Sequence, residues 1–276
     1  MPRRRGDAPL RRFRLRPSED GLPPRLTEAD EAHALRVLRL APGDRLLGLD
    51  GQGSEWPLTV AHADRRTLEL ALDGAARTEP RPGDPGSSLP HLTVLAPIPR
   101  QGEAETMADQ LAQVGAARWV PLTTQRSQDP GGARVRPDRL ERAAHEASKQ
   151  CLRLWDLEIA EPLDLERALA RGSSEAGSSF YLEAGSSNPE CLYEPRSDHE
   201  APANREAPSM HEDPPRLRLF VGPEGGWSPE ELELLRSSGA HGLGLGPLVL
   251  RTSTAAVVGA SLLVRAHGAS QDAPAG

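Results

Sequence analysis

Between residues 10 and 80 the apolar positions come in short alternating runs. Arg45 to Leu49, Trp56 to Ala61 and Thr67 to Leu72 read as β-segments, the first two flanking a hairpin-type turn at Asp50-Gly51-Gln52-Gly53. One helix interrupts them. Thr27 with Asp30 resembles a capping box with an acidic partner, and Ala32, Leu35, Val37 and Leu38 supply its apolar face. A small β-rich domain is expected over residues 1–80. Glu79 to Leu89 (EPRPGDPGSSL) carries Pro, Gly and Ser with almost no apolar residue, which predicts a linker over 81–90.

From His91 the pattern changes. His91 to Ala96 predicts a strand, Glu103 to Val114 a helix with apolar Ala104, Met107, Ala108, Leu111 and Val114, and Arg118 to Leu122 the next strand. Asp138 to Leu154 reads as a helix, Ser179 to Leu182 as a short strand and Arg216 to Val221 as a strong one. Alternation of this kind predicts an α/β domain over 91–276 with a largely parallel sheet. Between Gly185 and Pro215 there are six prolines, many serines and acids and few large apolar residues, so a disordered acidic insert is expected over about 185–215.

Composition adds boundaries. The 276 residues are 37% hydrophobic and 26% charged, long enough for two domains, and no run of apolar residues approaches a membrane span. The arginines at 3–5 are not followed by an apolar secretory core, so a cytoplasmic protein is expected. Cys151 and Cys191 are too few for a disulfide framework; both are expected to be reduced, with Cys151 a buried helix residue. The eight histidines show no metal or triad spacing, which points to a metal-free protein.

Charge argues against a nucleic-acid partner only until it is located. Eight acids and two arginines between Glu183 and Asp213 carry most of the net −7. Residues 1–16 hold seven arginines against one aspartate, and Gln125 to Arg153 holds seven cations against four acids. Both are candidate phosphate-contacting stretches; the arginine-rich surface of a high-GC genome explains either one equally well.

The candidate chemistry sits near the C-terminus. The strand ending at Val221 runs into Gly222-Pro223-Glu224-Gly225-Gly226, then Trp227 and Ser228-Pro229-Glu230-Glu231, in which Ser228 is a good N-cap, Pro229 suits the first helical position and Glu231 completes a capping box. A glycine loop at the carboxyl end of a parallel strand lets a ligand approach the backbone. It is neither a Walker A motif nor a dinucleotide fingerprint. A tight turn alone would also explain three glycines, but a second loop follows at Gly242 to Pro247, with Thr252 or Thr254 able to cap the next helix. Two such loops flanking one helix would wall a pocket from two sides.

In these segments the chain resembles the RsmE family, SPOUT-class methyltransferases that methylate N3 of a uridine in small-subunit ribosomal RNA. The strings VGPEGGWSPEEL and LGPLVLRTSTA match the family's GPEGG and LGxRVLRTETA core. The resemblance extends to His33, Val37-Leu38-Arg39, Gly43-Asp44 and Asp50-Gly51 of a PUA-like RNA-binding barrel, to Gln125-Arg126-Ser127, and to Glu146, Gln150 and Arg153, which fall on one helix face. Leu248 stands where the family pattern has Arg, Ser253 where it has Glu, Gln110 where it has Lys and Gln113 where it has Glu.

The resemblance implies a C-terminal SPOUT α/β trefoil-knot domain, S-adenosyl-L-methionine as cofactor, 16S ribosomal RNA or the small ribosomal subunit as partner, and a homodimer. It places the cofactor among Leu182, Val221, Gly222, Pro223, Glu224, Gly225, Gly226, Leu245, Gly246, Leu250, Thr252 and Thr254. Arg251 would orient the uracil or stabilise charge on its oxygens, with Glu224 a candidate base. Arg14, Arg36, Arg39, Arg126 and Arg153 would contact RNA, and Gly225→Val is expected to abolish cofactor binding. Two readings stand beside this one: a catalytically weakened RNA-binding homologue, and a methyltransferase acting on another RNA.

Overall fold

The computed structural model describes residues 10–16, 24–100, 102–127, 136–172, 177–183 and 216–271, the side chains of 172 and 268–271 excepted. The predicted insert and the arginines at 3–5 lie outside the described residues. The chain divides into two compact units, Met1–Arg81 with Ser148–Asp156, and Pro82–Ala147 with Leu157–Gly276.

In the first unit β1 (Arg12–Arg14), β2 (Arg45–Leu49), β3 (Ser54–Ala63), β4 (Leu68–Leu72) and β5 (Arg77–Thr78) form one sheet. β1 runs parallel to β2, and the other pairs are antiparallel. Alternation along the strands turns Phe13, Leu46, Leu58, Val60 and Leu70 into one apolar core with Leu26 and Ala34. The β2–β3 turn closes as its sequence predicts. The Asp50 carboxylate accepts from the backbone N–H of Gln52 (2.7 Å) and of Ser54 (3.0 Å). Gly53 in this turn is at φ 96, where a Cβ would also stand 2.6 Å from the Trp155 ring.

Helix α1 (Glu28–Ala32) starts at Thr27, whose hydroxyl accepts from Asp30 N, but it continues as a π-helical turn over His33–Leu38 that ends at Arg39 (φ 52). The wider turn rotates the face expected of an α-helix. Ala34 becomes buried, and Val37, expected on the apolar side, is 65% exposed. Asp30 is likewise not half of a reciprocal capping box: its carboxylate accepts from Arg14 N and pairs with Lys149 at 3.1 Å.

In the second unit seven parallel strands run in the order β12-β10-β11-β6-β7-β8, with β9 on β7. They are β6 (His91–Ala96), β7 (Arg118–Thr123), β8 (Glu158–Ile159), β9 (Leu163–Asp164), β10 (Gly177–Leu182), β11 (Arg216–Phe220) and β12 (His241–Leu243). Successive side chains face opposite layers. Leu92, Val94, Phe180, Leu182, Leu219 and Val221 pack with helices α2 (Glu103–Gln113), α3 (Pro137–Cys151) and α6 (Thr252–Gln271). Their neighbours Leu95, Tyr181 and Phe220 pack with α4 (Leu165–Gly172) and α5 (Pro229–Ser237).

Three expectations change. The segment expected as a linker is folded from Pro82 onward: Gly83 N donates to Leu89 O at 2.7 Å, and Pro82, Gly83 and Pro90 are buried. Helix α3 ends at Cys151 and not at Leu154, because Leu152 turns the backbone into the left-handed region (φ 67). Cys151 at that end is exposed rather than buried.

Candidate functional site

The carboxyl ends of β10, β11 and β12 open onto one cavity of about 300 Å³. Its first wall is the segment after β11. Gly226 N donates to Pro223 O (2.8 Å), closing a tight turn that needs Gly226 at φ 69. Trp227 then folds under the loop and donates from Nε1 to Leu182 O at 2.9 Å, while a Cβ on Gly222 would stand 3.1 Å from its ring. The second wall runs from Leu243 through Leu245, Gly246, Leu248, Val249 and Leu250 to Thr252 and Ala255. Thr252, buried at the start of α6, ties the walls together by donating its hydroxyl to Gly222 O at 3.0 Å.

The capping box of α5 is formed as the sequence predicts and does more than cap. The Ser228 hydroxyl accepts from Glu231 N, and the Glu231 carboxylate accepts from Ser228 N at 2.9 Å and, with its other oxygen, from Gln125 N at 2.8 Å. That last bond fixes the loop after β7, from which Arg126 reaches back. Its Nη1 donates to Gly225 O (2.9 Å) and Trp227 O (3.1 Å). Nearby Glu230 is held below the ordinary carboxylate range, chiefly by hydrogen bonding to Ser228, with the positive charge of Arg126 adding to it.

The cavity brings together Leu182, Val221, Gly222, Pro223, Glu224, Gly226, Leu245, Gly246, Leu250 and Thr252. Gly225 and Thr254 are not among its lining residues. A Cβ on Gly225 would meet Arg126 Cβ at 3.2 Å, so a side chain there presses first on the arginine that holds the loop. Glu224 is exposed, and among the described residues its carboxylate accepts no hydrogen bond. Arg251 lies between two lining residues, but its guanidinium leaves the cavity for Glu103 at 3.0 Å.

The sequence reading missed Glu183, Leu232, Leu243, Leu248, Val249 and Ala255, and Trp227 both lines the cavity and packs in the core. Leu248 and Val249, 75% and 84% exposed, lie inside the recognised motif, and Glu183 directly follows Leu182, so contiguity was the available signal.

The arginines assigned to RNA divide. Arg36 and Arg39 are exposed. Arg14 is mostly buried and paired with Asp156. Arg126 is exposed but engaged by the loop carbonyls. Arg153 is corrected: lying beyond the end of α3, it is 6% exposed, and burial pushes its guanidinium down to about 10 against the opposing influence of Cys151, Asp156 and Glu79. It stays charged at neutral pH but offers no surface to a phosphate. Among the described residues no group of His, Cys, Asp and Glu could hold a metal ion, and no helix is long and apolar enough to cross a membrane.

An RNA methyltransferase domain model matches residues 87–264, and an RNA methyltransferase PUA domain model matches residues 26–73. A ribosomal RNA small subunit methyltransferase E of Mycobacterium bovis is 30% identical over 241 residues, covering 84% of this chain and 83% of its own. The chain belongs to this family of RNA methyltransferases. Two solved structures share the fold. One is a Legionella pneumophila protein described as a methyltransferase in complex with the bound cofactor SAM, at TM-score 0.73 and 21% identity, covering 94% of this chain and 98% of that one. The other is a ribosomal RNA small subunit methyltransferase E of Neisseria gonorrhoeae bound to S-adenosyl methionine, at TM-score 0.67 and 18% identity, covering 91% and 95%. Apart from Ser148–Asp156, the methyltransferase match thus falls in the second unit with the cavity, and the PUA match in the first.

Proposed function

We propose that this methyltransferase transfers the methyl group of S-adenosyl-L-methionine to N3 of one uridine in 16S ribosomal RNA. The observation that carries the reading is the cavity at the ends of three adjacent parallel strands, walled by backbone and apolar side chains of two loops that Thr252 joins. Relatives with this fold are described with the same cofactor bound, which supports the assignment.

The cofactor supplies an activated methyl on a sulfonium sulfur. The chain's part is to hold it between Gly222–Gly226 and Leu245–Thr252 and to exclude water through Leu182, Leu245 and Leu250. As N3 gains the methyl it loses its proton, and the uracil oxygens carry developing negative charge, which a guanidinium at Arg251 is suited to stabilise. Glu224, exposed on the lining and without a hydrogen-bond donor among the described residues, is the candidate proton acceptor. Arg36 and Arg39 of the first unit are the candidate phosphate contacts. We assign the protein to the cytoplasm, acting as a homodimer.

Mapping N3-methyluridine by reverse-transcription stops tests the reading. A strain lacking the gene is expected to lose one stop in its 16S ribosomal RNA and to regain it with the wild-type gene. An unchanged stop pattern removes the assignment.

A further inference from the structure

Arg251 carries a long, exposed side chain at this site, and the structure restrains it from another element. Its side chain is 77% exposed, and its Nη1 donates to Glu103 Oε1 at 3.0 Å. The hydroxyl of Ser253 donates to the other oxygen of the same carboxylate at 3.4 Å. Both oxygens of Glu103 are therefore used by the segment that closes the pocket between Leu250 and Ala255.

Glu103 itself is well fixed. It is the first residue of α2, entered through Gly102 at φ 92, and α2 packs on α6 through Ala104, Met107, Leu111, Ala256 and Ala260. The carboxylate thus sits on a rigid element, whereas the guanidinium sits on a long flexible stem. An exposed pair adds little to stability. What it does supply is orientation, because a long side chain left free would spread over many rotamers. A guanidinium has five N–H donors, so the contact through one nitrogen leaves others for a substrate oxygen. Ser253 stands where the resembled pattern carries Glu, and here a carboxylate reaches that serine from α2.

We infer that Glu103 is a positioning residue: its carboxylate on α2, locked by Ser253, holds the Arg251 guanidinium beside the cofactor pocket in the pose used for transfer. This rests on the proposed role of Arg251 in uridine methylation.

The test is steady-state methylation of small ribosomal subunits from a strain lacking the gene, with labelled S-adenosyl-L-methionine, for Glu103→Ala, Arg251→Ala and the double variant. Cofactor affinity by calorimetry and the melting temperature are read on each. Glu103→Ala is expected to lower kcat about tenfold or more, the scale on which misplacement of a reacting group acts, with KM for the subunit, cofactor affinity and melting temperature near wild type. The double variant should be no slower than Arg251→Ala, because Glu103 acts through the arginine. Full kcat in Glu103→Ala beside an impaired Arg251→Ala overturns the inference, as does an added loss in the double variant. Full activity of Arg251→Ala, or none in wild type, overturns the underlying reading instead.

Discussion

Replacing Glu231 by alanine should loosen the cofactor loop and the methyltransferase domain together. Glu231 is 4% exposed, so water does not easily take the place of its carboxylate. Truncation strands the buried Ser228 N–H and the part-buried Gln125 N–H, which it now accepts at 2.9 Å and 2.8 Å. A buried donor left without a partner costs about 1–3 kcal/mol, and the loss of a half-exposed bond about 1 kcal/mol. The sum is about 3 kcal/mol, equivalent to roughly 6–12 °C in melting temperature for a domain of this size. Glu231→Gln keeps one carbonyl oxygen as acceptor and should recover about half of that loss. Differential scanning calorimetry on both variants reads the effect. A Glu231→Ala protein melting within about 1 °C of wild type, or a Glu231→Gln protein melting as low as the alanine variant, would refute the reasoning.

Arg126→Ala removes the donor to the carbonyls of Gly225 and Trp227 and should weaken cofactor binding several-fold with little change in melting temperature; unchanged affinity by calorimetry would show that the loop holds itself. In the first unit, Lys149→Met leaves the nearly buried Asp30 carboxylate without its ion-pair partner and should cost about 3 kcal/mol in urea unfolding, whereas a loss below the error of the fit would contradict the pair's role. Burial holds the His267 imidazole below its ordinary 6.5. The unfolded chain therefore binds more protons between the two values, and stability falls as pH drops from 6.5 through the folded value. His267→Gln should flatten that limb of the stability–pH curve, and an unaltered limb would assign it elsewhere.

The sequence made the site legible where its chemistry is local. The strand at His91–Ala96 carries a mostly buried apolar run, Arg216–Phe220 alternates arginine with leucine before its buried end, and the Ser228/Glu231 spacing encodes its own capping box. Interactions between distant positions had no such signature. The third bond of Glu231 reaches Gln125, 106 residues away, and Glu103 meets Arg251 across 148. β8 and β9 have two residues each and β12 has three, too few to display a period, so the glycine loop expected from Gly242 begins only after β12. The error at Arg153 came from extending a helical spacing past Leu152, whose left-handed backbone ends the helix. A periodic pattern also says nothing of how a chain is threaded, so the knot came from the resemblance alone.

The account stands on the cavity between the two glycine loops being a cofactor site. Isothermal titration of S-adenosyl-L-methionine into the wild-type protein tests this most directly. One cofactor per chain with a dissociation constant in the micromolar range is the predicted result, and no binding heat at high micromolar cofactor would contradict it.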